Sequence, residues 1–164
     1  MLITEAKPIA DKLKALLEPY CERIEIAGSI RREKEIVKDI EIVLIPKNAN
    51  KLFNVLGLHL LKLKRDFQYI KNGDKYKQFY YMGIKVDLFV AHPDNWGYIF
   101  AIRTGSAEYS HNVLASGWVK KGFKGVDGFL TRKGEIIPVK EEIDLFKIIG
   151  EEYISPKERE LKNV

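Results

Sequence analysis

Residues 28–45 read G-S-I-R-R-E-K-E-I-V-K-D-I-E-I-V-L-I, and this stretch decides the fold that the sequence predicts. A Gly-Ser pair opens it and breaks the β-like run at 23–27, and a charged segment follows. From Asp39 onward acidic and apolar residues alternate, which is the period of a β-strand. Pro46 then stops the run. The stretch therefore predicts two strands joined by a turn, with acids on one face of the second strand.

Asp39 and Glu41 are two residues apart on that strand, so both side chains leave the same face. Like charges repel each other there, and a cation between them removes that cost. Asp87 and Lys85 share one face of another β-like run, I-K-V-D-L-F-V at 84–90. If the two strands are neighbours, three carboxylates converge, and oxygen ligands without nearby His or Cys select magnesium or manganese over zinc. The alternative is that Asp39 and Glu41 lie on a solvated sheet face.

The Gly28-Ser29 pair is a candidate phosphate site. Such a pair at the end of a strand exposes backbone N–H groups and a hydroxyl to a phosphate oxygen. Arg32, three residues after Ser29, can add a bidentate, charge-assisted contact. An ordinary turn followed by a solvated basic loop explains the same residues, so the pattern alone leaves both interpretations open.

Working outward, the sequence predicts an α+β fold with a first lobe at 1–93 and a second at 94–164. In the first lobe helical spacing covers about 4–20 and 52–64, and β-like runs cover 67–70, 76–82 and 84–90. The second lobe is mostly helical, at about 96–103, 106–121 and 141–149, with a short β element at 136–139. Five residues are expected to pack against other side chains rather than to take part in chemistry: Cys21, His59, Trp96, Tyr98 and Phe100.

The composition, with 46% hydrophobic and 31% charged residues, is that of a globular protein. The single Cys21 cannot form an internal disulfide and favours a reducing compartment. We found no apolar run of about 18 residues and no signal-peptide pattern. We therefore expect a protein without membrane contact, cytoplasmic or in another intracellular compartment, and not secreted. The net charge of +5 favours a polyanionic partner.

Four segments in order resemble the palm and thumb of family X DNA polymerases, which include the beta-type repair polymerases. They are residues 28–45, residues 84–90, R-T-G-S-A-E-Y-S-H-N at 103–112 followed by K-K-G-F, and G-E-I-I-P-V-K-E-E-I-D-L-F at 134–146 continued by Y-I-S-P-K-E-R-E. The resemblance covers about residues 1–160. It implies a minimal nucleotidyltransferase with a palm at 1–93 and a small, mostly helical thumb at 94–164, and no preceding lyase domain. The palm would be a mixed or antiparallel sheet with helices on one side.

The resemblance implies a DNA-directed DNA polymerase that transfers a nucleoside monophosphate from a dNTP to a primer 3′-hydroxyl, in gap filling or repair, within a compartment that contains DNA. The oligomeric state is open, and we expect a monomer. Asp39 and Glu41 would bridge two Mg²⁺ ions, for which Mn²⁺ could substitute. Asp87 would complete the site of the ion that activates the hydroxyl. Two such ions clamp the attacking and leaving oxygens of an in-line displacement.

The resemblance also implies nucleotide and DNA contacts. Nucleotide contacts fall on Gly28, Ser29, Arg32, Thr104, Gly105 and Ser106. Lys85 would contact the primer backbone and His111 the template. Further backbone contacts are predicted for Lys75, Lys77, Lys120, Lys121 and Lys124, although each lysine alone could be a solvated surface charge.

Three departures from the family pattern leave its finer properties open. Glu41 stands where most members have aspartate, which affects the spacing and preference of the metals. Ile102 and Arg103 replace an aromatic pair before T-G-S, so the choice between deoxyribose and ribose is open. Ser110, His111 and Leu114 occupy positions near base and template, which leaves fidelity open. Two other functions also fit: nucleotidyl transfer to a non-DNA acceptor, and a non-catalytic DNA-binding module.

Overall fold

A computed structural model describes residues 1–160 of the chain. The chain divides into two compact units, Met1–Val90 and a second unit that begins at Ala91. Each unit has its own core of buried apolar side chains. The predicted α+β class is confirmed, since helices accompany a mixed five-stranded sheet in the first unit. The boundary drawn from the sequence, after Pro93, falls three residues beyond the division.

The first unit contains three α-helices, a short 3-10 helix (Glu18–Tyr20) and five strands. In chain order the α-helices and strands are α1 (Ile3–Leu17), β1 (Cys21–Ile26), α2 (Gly28–Arg31), β2 (Asp39–Pro46), α3 (Ala49–Leu63), β3 (Lys71–Asn72), β4 (Tyr76–Tyr81) and β5 (Ile84–Val90). The strand order is β1-β2-β5-β4-β3. Only β2 and β5 pair in parallel, and the other pairs are antiparallel. The sheet is therefore mixed, with β2 and β5 near its centre.

Helices α1 and α3 are amphipathic, and both contribute to one core with the sheet. In α1 the fully buried positions Ala6, Ala10, Leu13 and Leu17 recur every three or four residues, which places them on one helix face. Helix α3 repeats this pattern in its own apolar positions. The Asn48 side chain accepts a hydrogen bond from the Lys51 backbone N–H and so caps the start of α3.

The segment at 67–70 is not a strand, so that prediction was wrong. The rings of Phe67 and Tyr69 instead pack edge-on against each other and against Phe79 of β4. Ladder pairing begins only at Lys71, in the two-residue edge strand β3. Phe67 and Tyr69 alternate with polar residues because their rings pack with Phe79, and this alternation resembles the pattern of a strand.

The second unit combines helices with a three-stranded antiparallel sheet. Its elements are α4 (Trp96–Thr104), α5 (Ala107–Tyr109), a π-helical segment (Ser110–Ala115), α6 (Ser116–Lys120), β6 (Lys124–Val126), β7 (Phe129–Arg132), β8 (Glu135–Ile136) and α7 (Glu142–Ile149). The helix expected at 106–121 is thus present but contains a π-helical stretch. Trp96, Tyr98 and Phe100 are buried as predicted.

The β element of the second unit is larger than predicted and ends earlier. The strand expected at 136–139 stops at Ile136. Pro138 has no N–H for a ladder, and the Val139 N–H donates to the Asp94 carbonyl. The β6–β7 turn contains Asp127 and Gly128, both at positive φ, which is the backbone that tight hairpins favour.

Cys21 and His59, which were expected to be packing residues, are both at least partly shielded from solvent. Cys21 is buried, and this burial raises the pKa of its thiol to about 11. His59 is half-buried, its Nε2 lies 3.3 Å from the Tyr81 hydroxyl, and burial lowers its pKa. None of the helices within residues 1–160 has both the length and the apolar character that crossing a membrane requires.

Candidate active site

The predicted acids lie on two strands that pair directly. In the parallel register of β2 and β5, Asp39 is opposite Lys85 and Glu41 is opposite Asp87. Residues paired in register leave the sheet on the same side, so these four side chains share one face. The residues between them on both strands are buried against the helices. The structure therefore brings Asp39, Glu41 and Asp87 together on one face of the sheet.

Strand β4 extends this face on the other side of β5. Across β4, β5 and β2 the paired side chains form three rows: Tyr80–Lys85–Asp39, Gln78–Asp87–Glu41 and Tyr76–Phe89–Val43. We call this surface the acid face. The middle row carries two of the three acids side by side, with an amide next to them.

Asp87 is the most enclosed of the three acids, with only 7% of its surface exposed. Its Oδ1 accepts two hydrogen bonds, from the Tyr76 hydroxyl at 2.5 Å and from Gln78 Nε2 at 2.8 Å. The Tyr76 ring stacks on Phe89, with centroids 5.0 Å apart and an interplanar angle of 15°. A buried carboxylate that accepts hydrogen bonds from fixed donors is held in one orientation.

Sequence reasoning missed Tyr76 and Gln78, although a signal for them exists. Strands β4 and β5 form a hairpin around Met82 and Gly83, both at positive φ. Counting outward from this turn places Gln78 opposite Asp87, and the alternation of β4 then places Tyr76 on the same face. A prediction of the hairpin register would therefore have identified both residues.

Asp39 has a different partner from Asp87. Its Oδ1 lies 3.5 Å from Lys85 Nζ, and both side chains are 34% exposed. Ion pairs at this exposure contribute little to stability, so the pair can open at small cost. A cavity of about 300 Å³ opens beside these two residues and Lys38. Asp39 is therefore the more accessible acid and Asp87 the more rigid one.

The Gly28 turn lies directly against Glu41. The Ala27 N–H donates to the Glu41 carbonyl at 2.8 Å. A Cβ at Gly28 would lie 2.7 Å from Glu41 Oε2, and the φ of Gly28 is +63°. Ser29 is half-buried, and Arg32 follows the single turn of α2. The predicted phosphate turn and the acid face thus adjoin through Glu41.

The acids fit a divalent cation by their chemistry and placement. Their donor atoms are all carboxylate oxygens, the ligands of magnesium and manganese. As the side chains lie, no group of three or more His, Cys, Asp or Glu within residues 1–160 is gathered as a metal site. Glu41 is opposite Asp87 on neighbouring strands, which lie only about 4.8 Å apart, so a common ion would be held between these two strands.

The sequence predicted that Lys77 contacts the DNA backbone, and this prediction was wrong. It is 7% exposed, because the alternation of β4 directs it into the core side. Its ammonium donates to Asn72 Oδ1 and lies over the rings of Phe53, at 4.3 Å, and Tyr69, at 5.2 Å. Loss of solvation lowers the pKa of Lys77, partly offset by Asp74. Lys75, by contrast, is exposed.

In the second unit, Thr104 also departs from its predicted role. Its side chain is fully buried, and its hydroxyl donates to the Phe100 carbonyl at 2.7 Å within α4, so it does not face a nucleotide. Gly105 is buried at φ +67°, and its peptide bond to Ser106 is cis. Ser106 Oγ accepts from the Tyr109 N–H at 3.2 Å and caps α5. The remaining predicted DNA contacts of this unit are exposed: His111, Lys120, Lys121 and Lys124.

Comparison of the chain with protein-family models and with curated proteins finds no match. The interpretation of the acid face therefore depends on its residues and their geometry.

Proposed function

We propose that the first unit is the catalytic unit of a magnesium-dependent nucleotidyltransferase, and that the chain adds deoxynucleotides to the 3′-hydroxyl of a DNA primer. The observation that carries this proposal is the register of β2 and β5, which places Asp39, Glu41 and Asp87 on one face. The adjoining Gly28 turn supports it, because a turn of exposed backbone N–H groups suits phosphate and it lies directly against Glu41.

Asp39, Glu41 and Asp87 are the residues that would hold the cations. Divalent cations bound there supply charge stabilisation to the phosphates and lower the pKa of the attacking hydroxyl. Asp87, fixed by Tyr76 and Gln78, is suited to accept the proton of that hydroxyl.

The residues of the Gly28 turn would receive the triphosphate. Gly28 has no Cβ, which leaves room for the Glu41 carboxylate beside the turn. Ser29 offers a hydroxyl donor and Arg32 a planar guanidinium that matches two phosphate oxygens. These donors act where negative charge develops during transfer, which is the arrangement that stabilises a transition state most.

DNA as the acceptor is supported by charge and by sequence resemblance. The net charge of +5 favours binding to a polyanion, and Lys85 on the acid face is a cation next to Asp39. The four segments that resemble family X polymerases extend through both units. The basic surface lysines outside the acid face would add contacts to the phosphate backbone.

Primer extension tests the catalytic part of the proposal. We expect the wild-type protein to extend a labelled primer on gapped DNA with Mg²⁺ and dNTPs. The Asp39→Ala and Asp87→Asn variants should lower the rate at least about 100-fold, because each removes a group that stabilises the transition state. Circular dichroism should show an unchanged fold. The exposed Asp66 offers a matched control, since Asp66→Ala should extend the primer normally. Normal extension by Asp39→Ala would contradict the assignment.

The acceptor is tested separately. Wild-type protein is incubated with single-stranded DNA, gapped DNA, RNA and small hydroxyl compounds, each with dATP or ATP. Metal-dependent transfer only to an acceptor other than DNA would retain the nucleotidyltransferase and reject the polymerase. A comparison of matched with mismatched template bases then measures template dependence.

A further inference from the structure

The hydrogen bonds to Asp87 all converge on a single oxygen. Tyr76 and Gln78 both donate to Oδ1, and Gln78 Nε2 also donates to the Tyr76 oxygen at 3.0 Å. The Gln78 amide has two N–H donors and the tyrosine has one O–H donor. All three are used within this network, so its direction is defined, with Asp87 as the final acceptor.

We propose that Tyr76 and Gln78 are positioning residues that orient the Asp87 carboxylate for cation binding and transfer, an inference that rests on the proposed function. The two donors fix the rotation of the carboxylate. The other oxygen, Oδ2, takes part in none of the hydrogen bonds or ion pairs found for Asp87 among residues 1–160. Oδ2 is therefore the oxygen presented to a ligand.

The network orients Asp87 without neutralising it. Both donors are uncharged groups, whereas Asp39 is paired with the cationic Lys85. A cationic partner at Asp87 would compete with a metal ion for the carboxylate charge, but neutral donors leave that charge for the ion. The stack of Tyr76 on Phe89 holds the donor itself in place. Support for the carboxylate therefore runs from the Phe89 ring through Tyr76 to Asp87.

Precise orientation matters because misplacement of a catalytic group by about 1 Å can cost about 100-fold in rate. Groups that hydrogen-bond to metal ligands typically change metal affinity or activity by about 10- to 100-fold when removed. The loss should appear in kcat and in cation affinity rather than in nucleotide affinity, because neither Tyr76 nor Gln78 belongs to the Gly28 turn.

The test uses Tyr76→Phe, which keeps the ring on Phe89 but removes the hydroxyl, and Gln78→Met, which keeps the length but removes the donors. Each should lower kcat about 10-fold or more and leave the KM for dNTP unchanged. Calorimetric titration with Mn²⁺, without DNA or nucleotide, should show about 10-fold weaker binding. Tyr81→Phe is the matched control, because its hydroxyl lies on the opposite face of β4, 3.3 Å from His59 Nε2, and this variant should match the wild type in both.

The outcomes separate this inference from the proposed function. If Tyr76→Phe and Gln78→Met lower the melting temperature but keep wild-type kcat and Mn²⁺ affinity, the two residues are only structural and the inference is overturned. If the wild type neither binds Mn²⁺ nor extends a primer, the proposed function fails and the inference fails with it. Reduced kcat and Mn²⁺ affinity in both variants, with normal values for Tyr81→Phe, supports it.

Discussion

At position 28 two constraints act on the same residue. Its φ of +63° lies in the left-handed region, and an added Cβ would come within 2.7 Å of Glu41 Oε2. Gly28→Ala should therefore lose about 1–2 kcal/mol of unfolding free energy from backbone strain, and should also displace the Glu41 carboxylate. We expect weaker Mn²⁺ binding and slower primer extension. Urea unfolding measures the first effect, and calorimetry and extension assays measure the second.

Gly83 provides the control for strain alone. It has φ +83°, and a Cβ there would meet nothing within 4 Å. Gly83→Ala should lose a similar unfolding free energy but keep the metal affinity of the wild type. Equal losses of metal affinity in both alanine variants would show that contact between Gly28 and Glu41 does not matter for the site.

Lys77 predicts a specific dependence of stability on pH. Because burial lowers its pKa in the folded protein, the unfolded chain binds more protons between that lowered pKa and the ordinary value of 10.5. The free energy of unfolding contributed by Lys77 therefore rises with pH across this interval. Lys77→Met removes the titrating group. We expect the stability of the wild type relative to Lys77→Met to increase as urea unfolding is repeated from neutral pH towards 10.5. A difference that stays constant with pH would contradict this prediction.

The acids and Lys77 show what alternation can and cannot predict. A period of two was enough to place Asp39 and Glu41 on one face, because that relation is local to one strand. The pairing of β2 with β5 is a contact between distant segments, so the sequence allowed it but did not require it. Lys77 was misassigned because its charge was given more weight than its position on β4. The Asn72 contact and the two aromatic rings that pack against the Lys77 ammonium are tertiary features.

At the scale of elements, alanine substitutions at two helical glycines should change the free energy of unfolding in opposite directions. Gly57 lies within α3, where an added Cβ would meet only the Tyr69 hydroxyl at 3.9 Å. Gly57→Ala should raise the free energy of unfolding by about 0.5–1 kcal/mol, since alanine has the higher helix propensity. Gly97 lies in α4, where a Cβ would come within 2.2 Å of the Glu141 backbone at the start of α7.

Gly97→Ala should therefore lower the free energy of unfolding by about 1–3 kcal/mol, the usual cost of overpacking. The Glu141 backbone atoms cannot rotate away as a side-chain end could, so the two helices must separate. Both alanine variants are compared by urea unfolding at one pH. A stabilising Gly97→Ala would contradict the close contact of α4 with α7.

The helices were predictable in extent because their apolar spacing persists over several turns. Strands β6 and β7 were not recognised, since three or four residues are too few for alternation to be distinguished. The turns carry the better signal, as Asp127-Gly128 and Lys133-Gly134 both adopt positive φ. The π-helical segment within 110–115 depends on how its side chains pack, which local spacing does not encode.

At the scale of the whole molecule, the chain consists of two units with separate cores and carries a net charge of +5. A charge balance alone does not identify which cations meet DNA, because many surface lysines are merely solvated. Burial already removes Lys77 from this set. The exposed Lys120 and Lys121, adjacent at the end of α6, are a sharper choice for a test.

The salt dependence of DNA affinity distinguishes bound lysines from solvated ones. Each lysine that neutralises a phosphate of duplex DNA contributes about 0.9 to the slope of log affinity against log salt concentration. Replacing Lys120 and Lys121 together by Gln should therefore reduce the magnitude of the slope by about 1.8. Lys77→Met should leave the slope unchanged, because its ammonium lies between Phe53 and Tyr69 rather than in solvent. Fluorescence anisotropy with a labelled primer–template at several salt concentrations measures both slopes. A double variant with the wild-type slope would show that Lys120 and Lys121 contact no phosphate, and a reduced slope for Lys77→Met would contradict the burial of that side chain.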